Sequence, residues 1–140
     1  MKTALLALTC LLLAHSGRAA ARRARPNVAS WYGEEQRGRL MANGQRFDPD
    51  RHTAASWFYP LGTQVRVTIN SPVYQNSPPP SVLVTITDRG PARRLVRNGR
   101  KIDLAHAAFK ELADPDLGLV EVTISPISNG TNMTTRVPTS

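Results

Sequence analysis

The residue of this chain best suited to acid–base chemistry is Asp88, which follows an alternating run of apolar and polar residues. Residues 82–87 alternate as a half-buried strand does, and Arg89-Gly90-Pro91 come directly after the acid. Glycine and proline force the chain to turn there, so the carboxylate can face a groove rather than the core. A carboxyl group in such a groove can give or take a proton. The alternative interpretation is an Asx-type turn, in which Asp88 binds its own backbone.

Short strands must position this acid. The alternation seen at 82–87 recurs at 64–70 and near the end at 120–124, and residues 29–32 read as a first short strand. The proline-rich residues 71–81 predict an extended surface loop, and Asn43-Gly44 predicts a tight turn. Several short strands separated by such turns are typical of a small β-barrel.

One segment, residues 103–113, has the spacing of a helix. Ala105, Ala108, Phe109 and Leu112 fall on one face of it. Asp103 stands where a side-chain cap would begin the helix, so the pattern predicts that it is an N-cap.

The chain divides into four predicted segments. Residues 1–20 have the charged start, apolar stretch and small residues of a signal peptide, and the stretch is shorter than the roughly 20 residues that span a bilayer. Residues 21–28 form a basic flexible leader, 29–127 the barrel domain and 128–140 a polar disordered tail. Cys10 lies inside the apolar stretch rather than behind it, so we expect no lipid anchor. The sequence therefore predicts export to the periplasm or cell envelope without a transmembrane segment.

The formal net charge of +8 is compatible with an anionic partner. Nucleic acid is the usual partner of a basic chain, but predicted export and the lack of a known nucleic-acid motif argue against it. A polyanionic cell wall or a membrane surface suits the charge equally well. The single cysteine would leave with the signal peptide, so the mature domain is expected to fold without a disulfide.

Nine short motifs together identify a family. In chain order they are Ala29-Ser30-Trp31-Tyr32-Gly33, Gly38-Arg39, Ala42-Asn43-Gly44, Phe47-Asp48, Thr53-Ala54-Ala55, Pro60-Leu61-Gly62-Thr63, Val65-Arg66-Val67, Asp88-Arg89-Gly90-Pro91 and Ile102-Asp103-Leu104. In this order and spacing the chain resembles the rare lipoprotein A family of bacterial septal-ring lytic transglycosylases. The resemblance covers about residues 29–127. It implies a mainly β fold, a six-stranded double-psi β-barrel with one or two short helices, which expansins and barwin-like proteins share.

The resemblance also implies an activity. Family members cleave the glycan strands of peptidoglycan, preferring strands stripped of stem peptides, and leave 1,6-anhydromuramyl ends without using water. No metal and no organic cofactor are expected. Glycan strands are the expected partner, with cell-division proteins as further candidates, and we expect a monomer.

The resemblance carries the acid of the Asp-Arg-Gly-Pro motif onto Asp88 and predicts it as the main catalytic acid. Asp103 matches a second acid of expansins, with an assisting or structural role. Two positions depart from the family, because Gln45 stands where a glutamate is usual and Ser56 where a histidine is usual. With Trp57 and Arg89 they are the predicted substrate-binding residues. The aromatic residues could also fill the barrel, and Arg89 could hold the turn by pairing with a carboxylate.

These departures leave a second function open. An expansin-like module that binds peptidoglycan with weakened catalysis is compatible with Gln45 and Ser56, since neither side chain can replace the acid or the imidazole. A barwin-type defence or inhibitor protein fits less well, because barwin relatives depend on disulfides.

Overall fold

The computed structural model describes residues 26–128. The predicted signal peptide, most of the basic leader and the predicted tail beyond residue 128 lie outside the described residues. No helix within residues 26–128 is long and apolar enough to cross a membrane.

Residues 26–128 form six strands and two α-helices. The strands are β1 (Asn27–Tyr32), β2 (Thr53–Ala55), β3 (Gln64–Ile69), β4 (Ser81–Asp88), β5 (Arg100–Ala105) and β6 (Val120–Pro126), and the helices are α1 (Arg93–Arg97) and α2 (His106–Leu112). The three long alternating runs of the sequence become β3, β4 and β6, as predicted.

The strands close into a barrel in the order β1-β5-β2-β4-β3-β6, with β6 pairing back to β1. Two of the six pairings are parallel, β1 with β5 and β2 with β4, and the others are antiparallel. Closure leaves no unpaired sheet edge. The fold is therefore the predicted mainly β, six-stranded double-psi barrel with two short helices.

The barrel interior is apolar and is closed by α2. The inward-facing residues of the strands are mostly valine, isoleucine and leucine, and Phe109 and Leu112 of α2 pack against them. Both helix residues are buried, as the helical spacing predicts. A second small cluster, of Met41, Phe47 and Ala105, lies against Tyr32 and joins the 40–47 loop to the barrel.

The predicted helix start at Asp103 is wrong. Asp103 lies inside β5, where it pairs with Ser30 of β1 and with Ala55 of β2. The helix begins three residues later at His106, and Ala105 precedes it with no side-chain cap from any described residue. Strand pairing on both sides of β5 therefore prevails over the helical pattern of the local sequence.

Two further elements are absent from the sequence prediction. Strand β2 has only three residues, too few to show alternation, and α1 has only five. Both lie next to the residues predicted to do chemistry. Strand β2 is the strand between β4 and β5, and α1 follows the Asp88-Arg89-Gly90-Pro91 motif in the chain.

Candidate active site

Strand β2 brings the two predicted acids to the same end of the barrel. Ala55 pairs with Asp88 on one side, through a register shift, and with Asp103 on the other. Neighbouring strands lie about 4.8 Å apart and the barrel wall is curved, so the Cα atoms of the two acids lie within about 10 Å of each other. Both carboxylates line a groove of about 380 Å³. The structure thus brings together the two residues predicted to be catalytic.

The floor of the groove is made of small residues. A Cβ atom added to Gly90 would stand 3.1 Å from the Cβ of Ala55 and 3.5 Å from Oδ2 of Asp103. The space above the carboxylates therefore depends on Ala55 and Gly90 being small. The groove is also lined by Tyr32, Gln36, Arg39, Trp57 and residues 89–92.

Asp88 ends β4 and lines the groove. Its side chain also binds backbone N–H groups, so a place in the groove and a role in fixing the turn occur together. Its Oδ1 accepts the N–H of Arg89 at 2.8 Å and the N–H of Ala42 at 2.9 Å. The second bond ties the strand end to the 40–46 loop. Asp88 is therefore held in place by neutral donors rather than by a cation.

Asp103 is held by a side chain of the neighbouring strand β1. It is half-buried, and Ser30 Oγ donates a hydrogen bond to its Oδ1. Burial raises the pKa of Asp103 above its ordinary value, because the charged form loses hydration, while the Ser30 bond and the nearby Arg100 act against this rise. The carboxyl group of Asp103 is thus able to keep its proton to a higher pH than an exposed aspartate.

Tyr32 is a site residue that the sequence did not single out as a partner of the acids. Its hydroxyl is buried and finds no hydrogen-bond partner among residues 26–128. Burial and the negative charges of Asp88 and Asp103 raise its pKa, so the phenol stays neutral. Its ring stacks on Phe47 with centroids 4.2 Å apart. Alternation along β1 places Tyr32 on the same face as Ser30, which could have identified it once the pairing of Ser30 with Asp103 was known.

Trp57 forms part of the groove wall, where the sequence predicted it. Its indole Nε1–H donates to the carbonyl of Pro91 at 2.7 Å, and the ring is 40% exposed. The guanidinium of Arg93 stands 4.3 Å above the ring centroid.

Ser56 and Arg89 brace this wall from inside. Ser56 is fully buried; its hydroxyl donates to the carbonyl of Lys101 at 3.0 Å and accepts the N–H of Phe58 at 3.2 Å. Arg89 donates to the carbonyls of Ser56 and Tyr59 at 2.8 and 2.7 Å. The guanidinium of Arg89 thus binds backbone carbonyls in the place of the carboxylate that the sequence suggested. Of the two, only Arg89 also lines the groove.

Gln45 lines a different cavity, which we call the outer pocket. This cavity of about 330 Å³ lies on the outer face of β2 and β4 and is lined by Met41, Gln45, Arg46, Asp48, Arg51, His52, Thr53, Thr85 and Thr87. The Gln45 amide oxygen accepts a hydrogen bond from the Asn43 side chain at 3.1 Å. The structure therefore brings Asp88, Asp103, Trp57 and Arg89 into one groove, with Ser56 beneath its wall and Gln45 outside it.

Within residues 26–128, no group of three or more histidine, cysteine, aspartate or glutamate side chains is arranged to hold a metal ion.

Comparison with known proteins identifies relatives of the whole described region. The profile of a family described as lytic transglycolase matches residues 26–124. An uncharacterized protein of Synechocystis sp. is 39% identical over 97 residues, which cover 69% of this chain and 92% of the relative. A probable endolytic peptidoglycan transglycosylase RlpA of the same organism is 38% identical over 103 residues, covering 74% of this chain and 29% of the relative.

Further matches are more distant. The endolytic peptidoglycan transglycosylase RlpA of Neisseria meningitidis serogroup A is 35% identical over 102 residues, covering 73% of this chain and 38% of the relative. This chain thus spans about a third of the length of the relatives named as transglycosylases. Among solved structures, a Streptomyces papain inhibitor (SPI) has a TM-score of 0.47 and 24% identity, covering 71% of this chain and 87% of that one.

Proposed function

We propose that this chain, which belongs to the lytic transglycolase family, cleaves the glycan strands of peptidoglycan by an intramolecular transglycosylation. The observation that carries the proposal is the placement of Asp88 and Asp103 on either side of Ala55 in one groove. Two carboxyl groups flanking a scissile bond are the usual equipment for breaking a glycosidic bond.

Asp103 is the proposed proton donor. The Asp-Arg-Gly-Pro motif alone favours Asp88 as the main acid, whereas the burial of Asp103 favours the opposite division of roles. A carboxyl group with a raised pKa holds its proton nearer neutral pH and can deliver it to the oxygen that links N-acetylmuramic acid to N-acetylglucosamine. The bond from the anomeric carbon to that oxygen then breaks.

Asp88 is the proposed base. Positive charge builds on the muramyl ring as the bond breaks, and a carboxylate fixed by two backbone N–H groups is positioned to stabilise it. Asp88 then accepts the proton of the muramyl 6-hydroxyl, while the oxygen of that hydroxyl closes onto the anomeric carbon. The product is a 1,6-anhydromuramyl end, and no water enters the bond.

Tyr32 is the proposed orienting group. Its neutral phenol lines the groove near both carboxylates, and because its O–H is buried the residue contacts a bound sugar through its ring. The rigid stack on Phe47 holds the ring in place for that contact.

One observation favours a second function, a peptidoglycan-binding module without turnover. The family's usual glutamate and histidine are replaced by Gln45, which lines the outer pocket, and by Ser56, which is fully buried. Neither residue can replace the missing acid or imidazole in the groove. Under this alternative the groove binds a strand and the two aspartates do not act on it.

The test is incubation of the purified protein with peptide-free glycan strands, followed by mass spectrometry for 1,6-anhydromuramyl ends. Asp88→Asn is run in parallel, with Asp116→Asn as a control that removes an exposed acid elsewhere. We expect anhydro products from the native protein and the control and none from Asp88→Asn. Strand binding without products in the native protein supports the binding module instead, and unchanged turnover in Asp88→Asn overturns the role of Asp88.

A further inference from the structure

A pair of aromatic residues, each covered by a cation, continues the groove wall. Trp57 and Phe58 are exposed by 40% and 48%, and the two cations that cover them are Arg93 and Lys101. Arg93 stands 4.3 Å above the Trp57 ring centroid and Lys101 Nζ 4.3 Å from that of Phe58. We call these four residues the basic platform. It is continuous with the groove, because Trp57 and Ala92, next to Arg93, line that cavity.

The backbone beneath the platform is fixed by hydrogen bonds from three side chains. The Ser56 hydroxyl connects the carbonyl of Lys101 to the N–H of Phe58, so one buried group holds both members of that pair. Arg89 fixes the carbonyls on either side of the two aromatics, and the Trp57 indole is bound to Pro91. A surface fixed in this way loses little side-chain freedom when a ligand binds.

The charge of the surrounding segment is of one sign. Five of the nine residues 93–101 are arginine or lysine, and none is acidic. In residues 34–50, by contrast, acids balance the charge, and there Arg37 pairs with Glu34, Asp48 and Asp50. The 93–101 segment therefore carries a local excess of positive charge, which attracts anions.

We propose that the basic platform binds the lactyl carboxylates of N-acetylmuramic acid in peptide-free glycan strands, and so selects anionic over neutral β-1,4 glycans. This inference rests on the proposed function for the identity of the glycan. An arginine stacked on an indole still presents N–H donors at its edge, which suit a carboxylate. The aromatic side chains supply apolar area for the faces of the sugar rings.

The chemistry of the strand explains why this occupant is chosen. A stripped strand carries one lactyl carboxylate on every muramyl residue, whereas a stem peptide converts that group into a neutral amide. Chitin oligosaccharides have the same β-1,4-linked N-acetylated sugars and no carboxylate at all. Recognition by the basic platform therefore requires the negative charge of the lactyl carboxylate, which chitin oligosaccharides lack.

The experiment measures the affinity of the protein for three ligands of equal length by calorimetry. The ligands are peptide-free strands, the same strands with their lactyl carboxylates converted to methylamides, and chitin oligosaccharides. The test variant is Arg93→Gln with Lys101→Gln. Its control is Arg66→Gln with Lys110→Gln, which removes one exposed arginine and one exposed lysine away from the groove. Thermal unfolding checks that all three proteins are folded.

We expect the native protein to bind the anionic strands about tenfold more tightly than either neutral ligand. The platform variant loses that preference and the control keeps it. Added salt weakens binding of the anionic strands and leaves the neutral ligands unaffected.

Equal affinity for anionic and neutral strands in the native protein, or no binding of any ligand, overturns the proposal, as does a preference that survives in the platform variant. A wall polymer of phosphodiester chemistry that binds the platform more tightly than the strands also overturns it. Failure of the proposed function is distinguishable, because native protein that binds by charge but yields no anhydro ends retains the platform and loses only the turnover.

Discussion

The groove and the outer pocket are cavities of similar size, about 380 and 330 Å³, yet they hold their acids differently. In the groove, neutral donors hold the acids: backbone N–H groups bind Asp88, and the Ser30 hydroxyl binds Asp103. In the outer pocket, an ionic partner holds the acid: Asp48 pairs with Arg37 at 2.9 Å.

This difference indicates which cavity is fit for chemistry. A carboxylate that is paired with an arginine has its charge already balanced, so it is a weak proton carrier and a weak stabiliser of a developing cation. A carboxyl group held by an amide or a hydroxyl is just as well positioned and keeps its full response to substrate. By this criterion we expect the groove to be the reactive cavity and the outer pocket to be a structural one.

The largest effect is expected on turnover, where Asp103→Asn, like Asp88→Asn, removes an acid of the groove. We expect turnover to fall by about 10²–10⁴-fold, because the amide keeps the acceptor for Ser30 but has no proton to deliver. The measurement is the rate of formation of anhydromuramyl ends. A variant that retains more than about a tenth of native turnover would contradict the role of Asp103 as proton donor.

The same variant tests the raised pKa of Asp103 through stability. A folded pKa above the unfolded value stabilises the protein below the ordinary value of 3.8, and this contribution is lost as the pH rises through the folded pKa. The native protein and Asp103→Asn should therefore have similar melting temperatures in acid. Towards neutral pH the variant should become the more stable of the two, because the native protein must then hold a charged, half-buried carboxylate. Asp116→Asn, whose acid is exposed, should not show this divergence.

An intermediate effect is expected from Asp88→Ala, which removes the acceptor that joins the end of β4 to the 40–46 loop. The N–H groups of Ala42 and Arg89 lose their partner, so we expect a loss of about 1–3 kcal/mol in the free energy of unfolding. Asp88→Asn keeps the acceptor oxygen and should lose less. Urea unfolding of both variants, with hydrogen exchange at Ala42, measures the difference. Equal destabilisation by both substitutions would show that the two bonds contribute little.

The smallest effect is expected from Gln45→Glu, which restores the family's usual residue. The side chain lines the outer pocket and is bound by Asn43, so we expect turnover to change by less than about twofold, below about 0.5 kcal/mol. Steady-state rates on peptide-free strands provide the measurement. A gain of tenfold or more would place a catalytic acid on the 40–46 loop and remove the distinction between the two cavities.

The strands that the sequence predicts are those whose pattern is local. Alternation identifies β3, β4 and β6, each of which has a side facing the core. Strand β5 runs directly into α2 and has apolar residues at helical spacing, so its local pattern conflicts with the pairing to β1 and β2 that determines it. Propensity alone could not show that pairing, since the partners lie about 50 and 70 residues away in sequence.

The same reasoning separates the parts of the site. Asp88 was predictable because a turn signal marks the end of its strand. The position of Asp103 beside it depends on β2, whose three residues carry no periodicity. The internal role of Ser56 was not predictable either, because its two bonds reach Lys101 and Phe58 across elements that the sequence does not bring together.

The burial of Ser56 also limits which residues can replace it. The family that the chain resembles usually has histidine at this position, and a serine now fills a space closed on all sides, with its hydroxyl bonded at both ends. A histidine restored alone would have to displace its neighbours, and overpacking of this kind costs about 1–3 kcal/mol. The surrounding residues must change before the imidazole becomes acceptable. Ser56 therefore limits which substitutions this position accepts on its own, because a histidine fits only together with changes in its neighbours.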